Sequence, residues 1–412
     1  MLAAYDRQSA TKVVRSGTHR VCNPEETLKR ALRIAPVTGI TRIGNVTGLD
    51  TIGIPVVMVC RPNARSLAVS QGKGLTLLAA KASGIMESVE QYHAETITLP
   101  LRLGSYEELR YAHTVVDVAE LPAIRTSVFH PSFRLLWCEG RDLASDEQIL
   151  VPFELVHTDY RWPLPTGSGC FAATSNGLAS GNHVLEAISH GICEVVERDS
   201  TALWSFKSQS GRDQTRVDLD SVDDRDCRAV LQRFDDARVA VAAWETTSDI
   251  GLASFKCVIA PREQDQLRYI PAAVGMGCHP SRAVALLRAL TEAAQSRLTQ
   301  IAGSRDDAPK ELYVHYRGGA VDRFLEREMA SRPVRSFMSA PDRDGETLID
   351  DVEYEIDLLR KAGMERVIVV DLTRPEFDIP VARVVIPGLE GAHFAPGYVP
   401  GRRARAVAAA KA

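Results

Sequence analysis

Residues 180–199, SGNHVLEAISHGICEVVERD, constrain the fold of this chain more than any other stretch. Val184, Leu185, Ile188, Ile192, Val195 and Val196 recur at helical spacing and call for burial, yet Glu186, Glu194 and Glu197 lie among them. At about 100° per residue, Glu186 and Glu197 fall about 20° apart on the helical wheel, with Glu194 less than a quarter-turn away. Carboxylates carried into apolar surroundings need cations or hydrogen bonds to offset their lost hydration. A carboxylate-bound Mg²⁺, which usually arrives with nucleotide phosphates, meets that need. A surface helix with solvated acids is the alternative that this stretch alone leaves open.

Similar units occur on either side. Residues 43–49 and 54–61 read as strands, the second (IPVVMVCR) apolar enough to be buried on both faces. Residues 61–74, rich in Gly, Ser and cations, read as a loop that feeds a helix over 75–92 carrying Ser83, Glu87 and Glu90 on its polar face. Lys73, flanked by glycines ahead of that helix, suits phosphate oxygens, although the spacing is not that of a P-loop. Strands at 239–246, 253–259 and 270–277 end in a glycine-bearing turn before a long helix. Arg288, Glu292 and Gln295 share one face of it, and Arg297 and Arg305 extend beyond. Three times a strand and a Gly/Ser turn deliver a helix with acids on one stripe, which points to one anionic cage around a metal and a triphosphate. No short-period repeat accounts for it.

Elsewhere the pattern is plainer. A helix over 24–34 is announced by Asn23 and Pro24. Residues 103–121 read as a helix and loop, and 135–138 with 148–152 as a strand pair. The loop WPLPTGSGCFAATSNGLASG brings backbone toward a ligand and offers Asn176 as a polar contact or a turn residue. A helix over 226–237, a helix over 348–362 and strands at 367–371 and 381–386 complete the reading. The expected fold class is α/β, in the mixed α+β sense, with helices packed on mixed or antiparallel sheets. A 1–40 extension, a 41–390 catalytic domain and a 391–412 Pro/Gly-rich basic tail, partly disordered, are the expected divisions.

Charge and cysteine usage exclude several classes. A net charge of −4 leaves no footprint for nucleic acid or an anionic membrane. Eight cysteines, none in C-x-x-C, argue against structural zinc and disulfides. Without a signal core or a membrane-length apolar run, a cytoplasmic protein is expected.

The motifs together resemble the YcaO family of ATP-dependent enzymes that activate peptide backbone amides. S-x-x-x-E-x-x-E appears as Ser83 to Glu87 and Glu90, and the central motif as Glu186-Ala187 through Glu194, Glu197, Arg198 and Asp199. The third runs through Ala289-Leu290, Glu292, Gln295 and Arg297 to Arg305, Asp306 and Asp307. Gln91 stands where the family often has arginine. The resemblance implies a YcaO-like fold and ATP held through Mg²⁺ by Glu87, Glu90, Glu186, Glu194 and Glu197. It assigns nucleotide contacts to Lys73, Ser83, Asn176, Arg198, Glu292, Gln295, Arg297 and Arg305. It further implies phosphorylation of the oxygen of an adduct at a peptide amide carbon, whose loss gives an azoline, a thioamide or an amidine. Such chemistry needs charge neutralisation more than a covalent nucleophile. His93, His183, His190 and His279 are accordingly read as structural.

The chain carries neither a P-x-P-x-P end nor a cysteine-rich zinc module, and 384–390 (VVIPGLE) is similar to the branch found beside TfuA partner proteins. That branch implies a thioamide made with an external sulfur donor in a ribosomally made peptide or protein. Azoline cyclodehydration and a non-catalytic ATP-binding scaffold are the alternatives. The expected partners are a peptide substrate and a TfuA-like protein, with a homodimer as one assembly.

Overall fold

Two three-stranded antiparallel sheets, each followed by a helix laid across its last strand, set the framework. The computed structural model describes residues 6–263, 270–303, 305, 327 and 329–410. Helix α1 (Pro24–Thr38) starts at Asn23, whose side chain accepts from the Glu26 N–H, with proline at its first position. Strands β1 (Arg42–Asn45), β2 (Val56–Cys60) and β3 (Val69–Lys73) then form the first sheet in that order. As its sequence requires, β2 is buried at Val56, Val57, Met58 and Val59. Strand β3 lies inside the stretch read as a loop. VSQGK has one β-branched residue, so its pairing with β2, not propensity, makes it a strand. Helix α2 (Leu77–Glu95) follows, capped by Thr76.

The third sheet begins with β4 (Leu101–Ser105), where a helix was expected; only the short α3 (Tyr106–Leu109) follows, started by a Ser105/Glu108 capping box. Strands β5 (Arg134–Asp142) and β6 (Gln148–Pro152) form the expected antiparallel pair. β7 (Leu178–Ser180) leads into α4 (Val184–Phe206), the central helix. After α5 (Gln209–Asp213), β8 (Val217–Asp218) and α6 (Arg225–Asp236), the second sheet is built from β9 (Val239–Glu245), β10 (Ser254–Pro261) and β11 (Ala273–Cys278). Helix α7 (Arg282–Ala302) lies across β11. β12 (Arg335–Ser336) pairs parallel with β8. Then come α8 (Leu348–Lys361), β13 (Ile368–Asp371), β14 (Val381–Val385) and α9 (Arg402–Ala409). The third sheet runs β4-β5-β13-β14-β7, with β6 on β5.

The first two sheets use one device to bring strand and helix together. A Cβ at Gly72 would stand 2.1 Å from the Ala80 carbonyl oxygen; one at Gly277 would stand 2.1 Å from that of Ala285. Each clash lies eight residues along, so β3 presses on α2 as β11 presses on α7, and only glycine allows either approach. Helix α4 is covered on its apolar side by Val352, Ile356 and Leu359 of α8 and by Val384. Each such fully buried aliphatic contributes about 1.5–3 kcal/mol of transfer free energy.

Both chain ends pack against the body of the protein. Ala10 and Lys12 are buried, and Ala31 and Ile34 of α1 join Ile85 and Val89 in the core. The alanine-rich tail, expected to be partly disordered, forms α9. Arg403 pairs with Asp199 at 2.9 Å, and Glu390 accepts from the Tyr398 hydroxyl and from the Gly401 and Ala404 N–H groups. Buried charges meeting partners across that distance in sequence fix the tail, which composition does not show. Among the described residues, no helix is long and apolar enough to cross a membrane.

Candidate functional site

The three strand–turn–helix units interlock in a ring. On α2, Glu90 accepts from the N–H and hydroxyl of Ser180, on β7, at 2.8 and 2.7 Å. On α4, Arg198 reaches the Met276 sulfur of β11 at 3.6 Å. On α7, Glu292 takes the Lys73 ammonium from the end of β3 at 2.7 Å, and Gln295 donates to Gln71 at 3.3 Å. Each helix thus engages the strand of the next unit. Two also bind their own: the Gln71 N–H donates to Glu87 and the Met276 N–H to Glu292, at 3.5 and 3.1 Å, both across 16 residues. The glycine-pressed strands explain the match, because the close approach aims one backbone N–H at one carboxylate in each unit.

The result is a pocket of buried carboxyls. Burial pushes the Glu87 carboxyl up to about 7 and the Glu90 carboxyl up to about 8. Burial likewise raises Glu194, and it pushes Glu197 up to about 7 although Arg198 opposes it from 3.0 Å. For Glu292 burial also resists ionisation, but Lys73 and Arg198 outweigh it and hold the group below the ordinary carboxylate range. Arg198 stands 3.9 Å from Glu194 as well. Five carboxylates therefore share two ion-paired cations. An all-oxygen donor set whose burial resists ionisation fits a hard divalent ion such as Mg²⁺, which would displace the protons.

By residue type, another group looks more like a metal centre. Among the described residues, His19, His279 and Asp351 have ligand atoms within 4.8 Å of one another, closer than the glutamates converge. Lys12 already neutralises Asp351, however, at 2.6 Å, and both side chains are fully buried.

The model of the family described as YcaO cyclodehydratase, ATP- and Mg²⁺-binding, matches residues 71–390, which include all three helices of the ring. The chain belongs to the YcaO family. A Rhizobium leguminosarum bv. trifolii protein named for its place in the tfuA 3′ region is 37% identical over 85% of this chain and 84% of its own length. Among solved structures, the YcaO protein of Methanopyrus kandleri bound with AMPPCP and Mg²⁺ superposes with a TM-score of 0.74 at 22% identity, covering 96% of this chain and 99% of that one. A heterocyclase in complex with substrate and cofactor gives the same TM-score and identity over 93% of this chain, which spans about half (55%) of that protein.

Within this YcaO chain the remaining expected contacts separate. Glu186 shares a wheel angle with Glu197 but lies about 16 Å away along the axis, since each residue rises 1.5 Å. Its oxygens accept from the Val21 and Asn182 N–H groups at 2.6 and 2.8 Å, two residues along from the Ser180 N–H that Glu90 holds, so it stands apart from Glu197 and not from Glu90. Arg297 is bidentate to buried Asp50 at 2.8 and 3.1 Å. Asn176 lines a separate cleft beside β14. Ser83 is exposed on α2, and Arg305 is close enough to Glu87 to favour its ionised form. Asp306 and Asp307 lie outside the described residues.

The sequence pattern missed Gln71, Ser180, Asn182 and Arg20. Arg20 faces Glu186 and Glu90 from the N-terminal segment; burial lowers its pKa and those carboxylates oppose the shift. Nothing local marks it. Of the four histidines, His93 bonds the Val89 carbonyl at 2.7 Å, His183 accepts from the Leu185 N–H, and His279 accepts from the Ser281 N–H. His190 is held neutral chiefly by burial, then by Arg288, Arg20 and Lys73.

Proposed function

We propose that the ring holds Mg·ATP and that the protein transfers the terminal phosphoryl group to the oxygen of a peptide backbone amide. The observation that carries this reading is the convergence of Glu87, Glu90, Glu194, Glu197 and Glu292, for which only Lys73 and Arg198 stand within ion-pair distance among the described residues. Glu87, Glu90, Glu194 and Glu197 would hold the metal, which when bound would neutralise phosphate charge. Lys73 and Arg198 would turn from their carboxylates toward phosphate oxygens, and Gln71, held by Gln295, would keep Glu87 aimed. Ser83 and Arg305 would contact the nucleotide from the α2 side. Glu186, fixed by backbone amides, orders the far end of α4 with Arg20. An amide oxygen is a poor leaving group until phosphorylated, so positioning and charge neutralisation carry the catalysis.

The favoured outcome is a thioamide, with an external sulfur donor brought by a TfuA-like partner to a ribosomally made peptide or protein. The relative in the tfuA 3′ region supports that choice. The family description and the heterocyclase neighbour favour the second reading, azoline formation by a side chain of the peptide itself. Incubating the protein with ATP, Mg²⁺, sulfide and peptides encoded beside its gene separates the readings by peptide mass. Oxygen-to-sulfur exchange marks thioamidation, and loss of one water marks cyclodehydration. ATP binding with neither change and no phosphate release would leave a scaffold.

A further inference from the structure

Beside the ring lies a cleft that the phosphoryl-transfer reading does not use. It is roofed by the segment from Leu389 to Tyr398 and floored by β14, with Ile124, Leu155, Val195 and Leu389 among its walls. Its cavity volume of about 60 Å³ is several times the roughly 10–15 Å³ that one water needs, room for a small polar group such as one amide. Two features tie it to the ring. Val195 follows Glu194 directly on α4. Phe394, on the roof segment, lies against the Arg198 guanidinium with 5.6 Å to its ring centroid.

Two polar residues that line this largely apolar cleft carry unmade hydrogen bonds. Arg383 is 2% exposed; its Nη2 donates to the Thr174 carbonyl at 2.6 Å, while Nε and Nη1 are buried without a partner. The Asn176 Oδ1 is likewise buried without a donor. Burial lowers Arg383 to about 10, so it remains charged at neutral pH. Unmet donors and acceptors in such a place favour a ligand that supplies the complement. Arg383 calls for an oxygen acceptor and Asn176 for an N–H donor. Glu194 on one side and Glu390 in the wall disfavour an anion. A neutral group with one C=O and one N–H, flanked by apolar surface, meets every requirement.

We propose that this cleft binds the substrate's peptide backbone, a carbonyl accepting from Arg383 and an N–H donating to Asn176, with an apolar side chain against Ile124, Leu155 and Leu389. The inference rests on the peptide-amide reading above and adds where that peptide lies. It gives Asn176 to the peptide and not to the nucleotide. It also gives the ordered tail a task, since Glu390 and Asp199 hold the roof in place.

The test uses the full chain with Mg²⁺, a non-hydrolysable ATP analogue and a library of acetylated, amidated pentapeptides bearing a diazirine leucine at the centre. After irradiation, adducts should map to residues 122–124, 172–176 and 389–398. Ala395→Trp fills the cleft from a half-buried roof position outside the ring and should leave nucleotide affinity unchanged. It and Arg383→Leu should each lower labelling about tenfold, as loss of one charge-assisted hydrogen bond predicts. Adducts elsewhere, no adducts, or undiminished labelling in Ala395→Trp overturn the inference. If the wild-type chain binds no nucleotide, the phosphoryl-transfer reading falls instead, so the two failures are distinguishable.

Discussion

Two buried clusters of ionisable groups solve the same problem in opposite ways. At the N-terminal junction, Lys12 meets Asp351 at 2.6 Å while His19 and His279 pack edge to face with centroids 4.8 Å apart. Burial holds His19 down at about 4, so that junction carries neutral imidazoles and a matched ion pair. In the ring of α2, α4 and α7 only two cations lie within ion-pair distance of the five acids among the described residues, and three carboxyls are raised to about 7 or 8. Lys12 and Asp351 are matched one to one, whereas in the ring two ion-paired cations serve five acids. Unmatched charge, more than ligand-like residue types, marks a site built for something else.

The contrast is broken or upheld by exchanging one charge in each cluster. Glu197→Gln should lower ATP turnover by about 10³-fold or more, in line with losing a group that neutralises phosphoryl charge. Its melting temperature in metal-free buffer should not fall, because the substitution removes a destabilising charge. Unaltered turnover would sink the metal assignment. Lys12→Ala should do the reverse. It leaves Asp351 buried and alone, which destabilises the fold by about 3 kcal/mol in denaturant unfolding while turnover per folded molecule persists.

A pH series sharpens the same comparison. Glu87, Glu90 and Glu197 are raised above the ordinary value of 4.5, so between 4.5 and about 8 the folded state binds more protons than the unfolded. Their contribution to stability is full below 4.5 and is lost as pH rises through about 7 to 8. Metal-free unfolding curves should therefore weaken over that window, and Glu90→Gln should flatten the slope. Mg²⁺ affinity, measured by calorimetry, should rise over the same window, because the ion competes with those protons. A flat profile in both would mean that the ring is solvated. The smallest effect is expected for Glu186→Gln. Losing one of its two acceptor oxygens should cost about 1–3 kcal/mol of stability, with a smaller drop in turnover than Glu197→Gln.

Much of the ring was legible before any coordinates. Helix α4 announces itself through apolar residues at helical spacing, and Glu87/Glu90, Glu194/Glu197 and Glu292/Gln295 are local pairs whose faces follow from 3.6 residues per turn. The central strands β2, β10 and β11 were equally plain, being apolar runs bounded by turns. Strand β3 was not, because VSQGK becomes a strand only by pairing with β2.

The sequence by itself determined which helices carry the acids and which residues share a stripe, since periodicity is a property of neighbouring residues. The tertiary structure alone decided which acids meet. It drew Lys73 to Glu292 and Ser180 to Glu90, sent Arg297 to Asp50, left Glu186 to backbone amides, and turned Arg383 toward Asn176's cleft. A helical wheel records angle but neither axial rise nor the strand that packs alongside. Pairings made across hundreds of residues depend on those two quantities.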